Sequence, residues 1–318
     1  MLYSNPTDGY RLAYRKSGSG RPVVMVHGSP GDGREYDKLA ALVSSHAMTV
    51  VPDLRGFGHS DKHSENGGDA FSRDGQVRAV VALMDELELR DAILVGYDIG
   101  GFTVQGIARK RPDLVAALVL APPLPGVGRR ILEVTPVNEF WHATFFRTKL
   151  VEQVFDANPE AIRALLRVHL DGWSGPGSTV TDELLDHMVE AYSAPGAFTA
   201  GVSWFRHEES NPISDYAAET VPPMAERFDK PTSILWPECD PLFPTAWSDR
   251  LDRFMSNFSL KFMPGVGHFS PTEAPEIFAG EILAHLSGDW RPDAVRGKAR
   301  AGRAPVCDPG LIFGAGGR

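Results

Sequence analysis

Six short apolar runs punctuate the chain: VVMVHG at 23–28, MTVVPDL at 48–54, AILVGYD at 92–98, AALVLAPP at 116–123, TSILWPE at 232–238 and LKFMPG at 260–265. Runs this short and continuous, rich in Val, Ile and Leu, suit strands of a parallel sheet covered on both faces. Between most of them the pattern changes to a helical period. It is clearest over 72–89, where Val77, Val80, Val81, Met84 and Leu87 share one face and Arg78, Asp85 and Glu86 turn elsewhere. Alternating strands and helices predict an α/β fold, a mostly parallel twisted sheet with helices on both faces.

The alternation stops after Pro123, and strand character does not return until Pro231. The intervening residues hold helix-like segments, EFWHATFFRTKLVEQVF at 139–155 and PEAIRALLRVHL at 159–170. This predicts a core domain made of residues 1–123 and 230–287, interrupted by a helical cap at 124–229. The cap is expected over the carboxyl ends of the strands, where open α/β sheets bind their ligands. The stretch 288–318 is rich in Gly, Pro, Ala and Arg without a sustained period, and a flexible tail is expected there.

Composition narrows the partner. The 318 residues are 42% hydrophobic and 23% charged, enough for a full core, and the formal net charge of −9 gives no electrostatic reason to expect nucleic acid or an anionic membrane. A small-molecule substrate is expected, with the chain acting as a monomer or homodimer. Cys239 and Cys307 are too few for a disulfide framework or a cysteine metal site, and the histidines lack metal-ligand spacing, so neither metal nor cofactor is expected. No basic segment leads into a long apolar run and no apolar stretch approaches ~18 residues, which makes a cytoplasmic location the expectation.

The chemistry concentrates after three of the apolar runs. GYDIGG at 96–101 turns a strand sharply into a helix, with Gly96 and Gly100 allowing the turn and Asp98 at its apex. Asp240 follows a second strand in ECDPLFP, and His268 follows a third in GVGHFS. A nucleophile, an acid and a histidine in that chain order, each at a strand end, form a triad with a carboxylate where a serine would stand in a G-x-S-x-G elbow. The segment His27-Gly28-Ser29-Pro30 is placed to offer a backbone N–H that would pair with that of Ile99 as an oxyanion hole.

Taken together, HGSP, DLRGFGHSD at 53–61, GYDIGG, DPLFP and GVGHFS resemble the α/β-hydrolase superfamily, specifically its epoxide hydrolase and dehalogenase branch, over roughly residues 8–286. The resemblance implies a covalent mechanism. A carboxylate serves poorly against a carbonyl but can displace a leaving group from saturated carbon, giving an alkyl ester on Asp98. His268 as general base then activates water, Asp240 orients the imidazole, and the Ser29 and Ile99 N–H groups stabilise the oxyanion. Substrates would carry a strained or displaceable C–O or C–halogen bond.

Residues around the elbow weigh the leaving group. Dehalogenases resembling this chain carry Trp after the nucleophile, or arginines for a haloacid, where this chain has Ile99, Gly100, Gly101 and Phe102. Epoxide hydrolases instead supply a donor from the cap, and FWHATFF resembles a His-bearing cap helix, which points to His142 as the ring-opening donor. In AYSAPGAFTAGVSWFR the family's Tyr before Arg206 is replaced by Phe205. Either His142 works alone, or Tyr192 or Trp204 replaces the missing donor, or the leaving group needs little help. Trp141, Phe146, Trp204 and Phe205 are expected to line an apolar pocket. The leading expectation is a cofactor-free epoxide hydrolase for a bulky apolar substrate. A dehalogenase and a non-catalytic binding protein are the alternatives. Asp53 and Arg55 are expected to hold a loop and lie outside the site.

Overall fold

The computed structural model describes residues 1–63, 69–178 and 181–293. Eight strands form one sheet in the order β1-β2-β4-β3-β5-β6-β7-β8: β1 Leu2–Tyr3, β2 Ala13–Ser17, β3 Pro22–Val26, β4 Met48–Pro52, β5 Ala92–Gly96, β6 Val115–Leu120, β7 Thr232–Pro237 and β8 Phe258–Met263. β1 and β2 run antiparallel at one edge, and β4 through β8 with β3 are parallel. The six apolar runs are the six parallel strands. The antiparallel edge pair was not legible because AYRKS points Arg15 and Lys16 outward and carries no continuous apolar run.

Period-two alternation explains why the central strands read as unbroken apolar runs. Val24, Val26, Leu94, Leu118 and Leu120 face one core cluster, while Val23, Met25, Ile93, Val95 and Val119 face the other, and both are fully buried. α1 Asp37–Val43 and α12 Pro275–Ser287 cover the second face; α2 Arg73–Glu86 and α3 Asp98–Lys110 cover the first. In α2 the buried face is Gln76, Val77, Ala79, Val80, Leu83 and Met84, while Val81 and Leu87, expected inside, are only partly covered. Ser72 caps α2 by accepting from the Gly75 N–H.

Between β6 and β7 the described elements are all helical: α4 Val134–Glu139, α5 Trp141–Phe145, α6 Leu150–Phe155, α7 Pro159–Trp173, α8 Asp182–Ser193, α9 Ala197–Val202 and α10 Pro212–Ala217, with short 3-10 turns. The single helix expected over 139–155 is three pieces. The Phe145 carbonyl accepts both the Thr148 N–H and the Thr148 hydroxyl, at 2.9 and 2.8 Å, closing a turn where the helix would otherwise continue. α11 Ser270–Glu273 follows β8. Of the tail expected at 288–318, residues 294–318 lie outside the described residues.

One close approach fixes the site. A β-carbon on Gly100 would lie 2.0 Å from the Val26 carbonyl oxygen and 2.5 Å from that of His27, both backbone atoms that cannot swing aside. Gly100→Ala is therefore expected to destabilise the fold by ~1–3 kcal/mol in urea denaturation. Gly280→Ala on exposed α12, where nothing lies within 4 Å, should instead be neutral or stabilising by up to ~1 kcal/mol. Equal stability of the two variants would contradict the contact.

Candidate active site

Asp98, Asp240 and His268 stand just beyond the carboxyl ends of β5, β7 and β8. At Asp98 the chain passes from strand to helix with only Tyr97 between them, and its φ is 48°, in the left-handed region. A non-glycine residue there is strained, and the strain holds the carboxylate up from the sheet. Asp98 Oδ1 accepts the Ser29 N–H at 2.6 Å, and the nearby Ile99 N–H also favours the carboxylate's charge. Of the two N–H groups expected to form an oxyanion hole, that of Ser29 holds the carboxylate directly.

The other oxygen faces the histidine. His268 Nε2 lies 3.6 Å from Asp98 Oδ2, too far for a hydrogen bond, while its Nδ1 is 2.9 Å from Asp240 Oδ2. Asp240 Oδ1 accepts the Leu242 N–H, which fixes that carboxylate in turn. The His268 side chain is 0% exposed and that of Asp240 1%, whereas 17% of the Asp98 side chain remains accessible. The accessible member is the one in the nucleophile's place. Burial works against the His268 cation, but the charges of Asp240 and Asp98, with the Asp240 hydrogen bond, outweigh it and push the imidazole up to about 10. Burial likewise opposes the Asp98 anion, yet His268 and the two N–H donors hold its carboxyl below the ordinary value. At rest the site is an anion, a cation and a second anion in a row.

Over this row sits an aromatic cluster from the helical segment. The Trp173 ring lies 5.3 Å from the His268 ring and 4.8 Å from that of His142, which in turn contacts Phe205 at 5.6 Å and Phe146 at 6.0 Å. His142 is buried, its Nδ1 has no hydrogen-bond partner, and burial brings it down to about 4 although the Asp98 charge works the other way. It is a neutral imidazole, separated from His268 by the Trp173 ring. Trp141 stacks on His169 at 5.5 Å, and Trp204 stacks on Phe102 of α3 at 5.9 Å. All four residues expected to line a pocket belong to this one cluster or border it.

Tyr192 has a different place from the one its sequence suggested. Its hydroxyl donates to the Pro30 carbonyl at 2.7 Å, so the proton a ring-opening donor would supply is already engaged in bracing the loop next to Ser29. Sequence reasoning also missed Glu35, buried beneath that loop. Its Oε2 accepts the Gly28 N–H at 3.2 Å, and burial pushes it up to about 8. A lone Glu in GDGREYD carries no spacing that would have announced it. Trp173 was legible only as an aromatic, not as the neighbour of His268. Asp53 accepts from the Gly33 and His59 N–H groups, and Arg55 donates to Thr7, Asp8 and Ala70, so both hold loops.

A model of the alpha/beta hydrolase family matches residues 23–281. The chain belongs to that family. It is 25% identical over 294 residues to mouse epoxide hydrolase 4, covering 90% of this chain and 79% of that one. It is 27% identical over 294 residues to a non-heme chloroperoxidase of Streptomyces lividans, covering 88% and 97%. Among solved structures, an epoxide hydrolase of Bacillus megaterium in complex with an inhibitor superposes with a TM-score of 0.75 at 20% identity, over 90% of this chain and all of that one. This member of the family is a hydrolase by its relatives, and two relatives of different activity at similar identity leave its reaction to be read from the residues of the site.

The electrostatics of the row can be measured directly. Asp240→Asn removes one of the two anions that hold the proton on His268, so the imidazole should titrate about 1–3 units lower, as followed by ¹⁵N NMR. An unchanged titration would mean that Asp98 alone sets the charge of His268.

Proposed function

We propose that this hydrolase opens an epoxide to a vicinal diol through an Asp98 alkyl ester, without a cofactor. The observation that carries the reading is the split carboxylate, with Oδ1 on the Ser29 N–H and Oδ2 free toward His268. Oδ2 attacks an epoxide carbon, the C–O bond to that carbon breaks, and Oδ1 becomes the ester carbonyl oxygen, already held by the Ser29 N–H with the Ile99 N–H beside it. Those donors then stabilise the oxyanion formed when water adds. A serine in this position would have no second oxygen to leave in the hole.

Proton bookkeeping supports the same sequence. The cycle starts with His268 protonated, held so by two carboxylates. Alkylation removes the Asp98 charge, which weakens the hold on that proton, and once the ring C–O bond has broken the proton passes to the opened oxygen in a separate, later step. Neutral His268 then takes a proton from water as hydroxide adds to the ester carbon. Collapse of the adduct expels the diol and restores the Asp98 anion and the His268 cation. Atoms and charge balance with one water consumed. The neutral His142 would steady the opened oxygen by a hydrogen bond.

The helical segment would serve as a cap, and its Trp and Phe side chains favour a bulky, weakly polar small molecule. Rapid quenching after mixing with styrene oxide tests the reading: His268→Gln should form the ester and stall, so that mass spectrometry finds the adduct on the Asp98 peptide. Full turnover by that variant would sink the assignment, and reversible saturation of the unaltered protein with no adduct would favour a binding protein.

Phe205 tests the donor. Its ring lies against His142, where a phenol would bring a second donor toward the opened oxygen. Phe205→Tyr should speed alkylation by small unactivated epoxides, by up to about 10²-fold, and weaken binding of bulky ones. An unchanged single-turnover alkylation rate would show that position 205 does not reach that oxygen.

A further inference from the structure

The helical segment and the His268 loop meet backbone to backbone. Trp173 ends α7, and its carbonyl accepts the His268 N–H at 2.7 Å. A β-carbon on Gly267 would lie 2.3 Å from the Gly175 nitrogen and 2.4 Å from the Trp173 oxygen, and one on Gly175 would lie 2.2 Å from the Gly265 oxygen. No side chain fits in this seam. The N–H groups of Gly175 and Gly267 point into it from opposite sides, and both donate to one atom, Glu273 Oε2, each at 2.9 Å. One carboxylate oxygen therefore bridges α7 and the loop that carries the base.

We propose that Glu273 is a positioning residue for His268, clipping the end of α7 to the histidine loop so that Trp173 and the imidazole keep a fixed placement. The proposal rests on reading His268 as the base of ester hydrolysis. Glu273 touches neither Asp98 nor a reacting atom in any recorded contact; it acts through the two glycine N–H groups. Its carboxyl is raised by burial, against the pull of those two donors and of the His268 cation. The two glycine N–H groups need an acceptor oxygen at that point, which a carboxylate and an amide both supply.

The half-reactions separate positioning from general damage. Asp98 attacks without help from the base, whereas hydrolysis needs the imidazole aimed at water. With styrene oxide under rapid quench, Glu273→Ala should alkylate at close to the unaltered rate and hydrolyse the ester about 10-fold or more slowly, so that ester accumulates. Glu273→Gln keeps an acceptor oxygen and should restore hydrolysis. Glu273→Asp, which keeps the charge but withdraws the oxygen, should be slow, and it serves where the alanine variant does not fold. Hydrolysis at the unaltered rate in Glu273→Asp and Glu273→Ala, or an equal loss in both half-reactions, overturns the proposal. If the unaltered protein forms no adduct, the ester reading fails by itself. The clip is then decided by ¹⁵N NMR of His268, whose titration should shift in Glu273→Asp and return in Glu273→Gln; identical titrations in all three proteins overturn it.

Discussion

Everything at this site depends on how a single carboxylate is held. Asp98 sits in a left-handed backbone conformation at the strand-to-helix turn, a strain the fold carries because β3, β5 and α3 pack too closely for any other path. Gly100 against Val26 and His27 is the point of closest approach. The same packing brings the loop after β3 over the turn, so that the Ser29 N–H reaches Asp98 Oδ1. The strained turn and the donor to the carboxylate both sit where α3 packs against β3 and the loop that follows it.

Three charged groups in a buried row would be costly if any one lacked its partner. Asp240 is neutralised by His268 and by the Leu242 N–H, and His268 is matched by an anion on either side. Only Asp98 keeps contact with the outside, and it is the group whose charge chemistry would remove. The surroundings sharpen this arrangement. His142 and His169 are held neutral by burial among Trp and Phe rings, so the nearest residues add no competing charge and screen the row poorly. A change in the charge of Asp98 is therefore felt by His268, and also by His142 and Glu35.

Much of this was legible in the sequence, and the reason is local. A parallel strand buried on both faces must be an unbroken apolar run, and a functional residue at its carboxyl end follows that run directly, as Asp98 follows AILVG and Asp240 follows TSILWP. What the sequence hid was long-range. Tyr192 stood as one of several alternative donors because the sequence does not show the acceptor of its hydroxyl, which is the distant Pro30 carbonyl. Glu35 and Glu273 look like ordinary surface acids, and each is defined by backbone N–H groups that sequence does not display. The break between α5 and α6 within 139–155 came from Thr148 closing a turn on the Phe145 carbonyl, a choice that apolar periodicity does not register.

The long-range contacts share a direction. α7 reaches the His268 loop through Trp173 and Glu273, and α8 reaches the loop beside the oxyanion donors twice, through Tyr192 on Pro30 and through His187, whose Nε2 lies 2.6 Å from Asp32 Oδ2. Against the effect of burial, that histidine and the Arg34 N–H hold Asp32 down at about 2, so the second contact persists well into acid on the carboxylate's side. The helical segment thus braces the N–H donors on one flank of Asp98 and the imidazole on the other. Substitutions within it, Phe205 among them, can therefore reach both flanks of Asp98 while Asp98, Asp240 and His268 stay as they are.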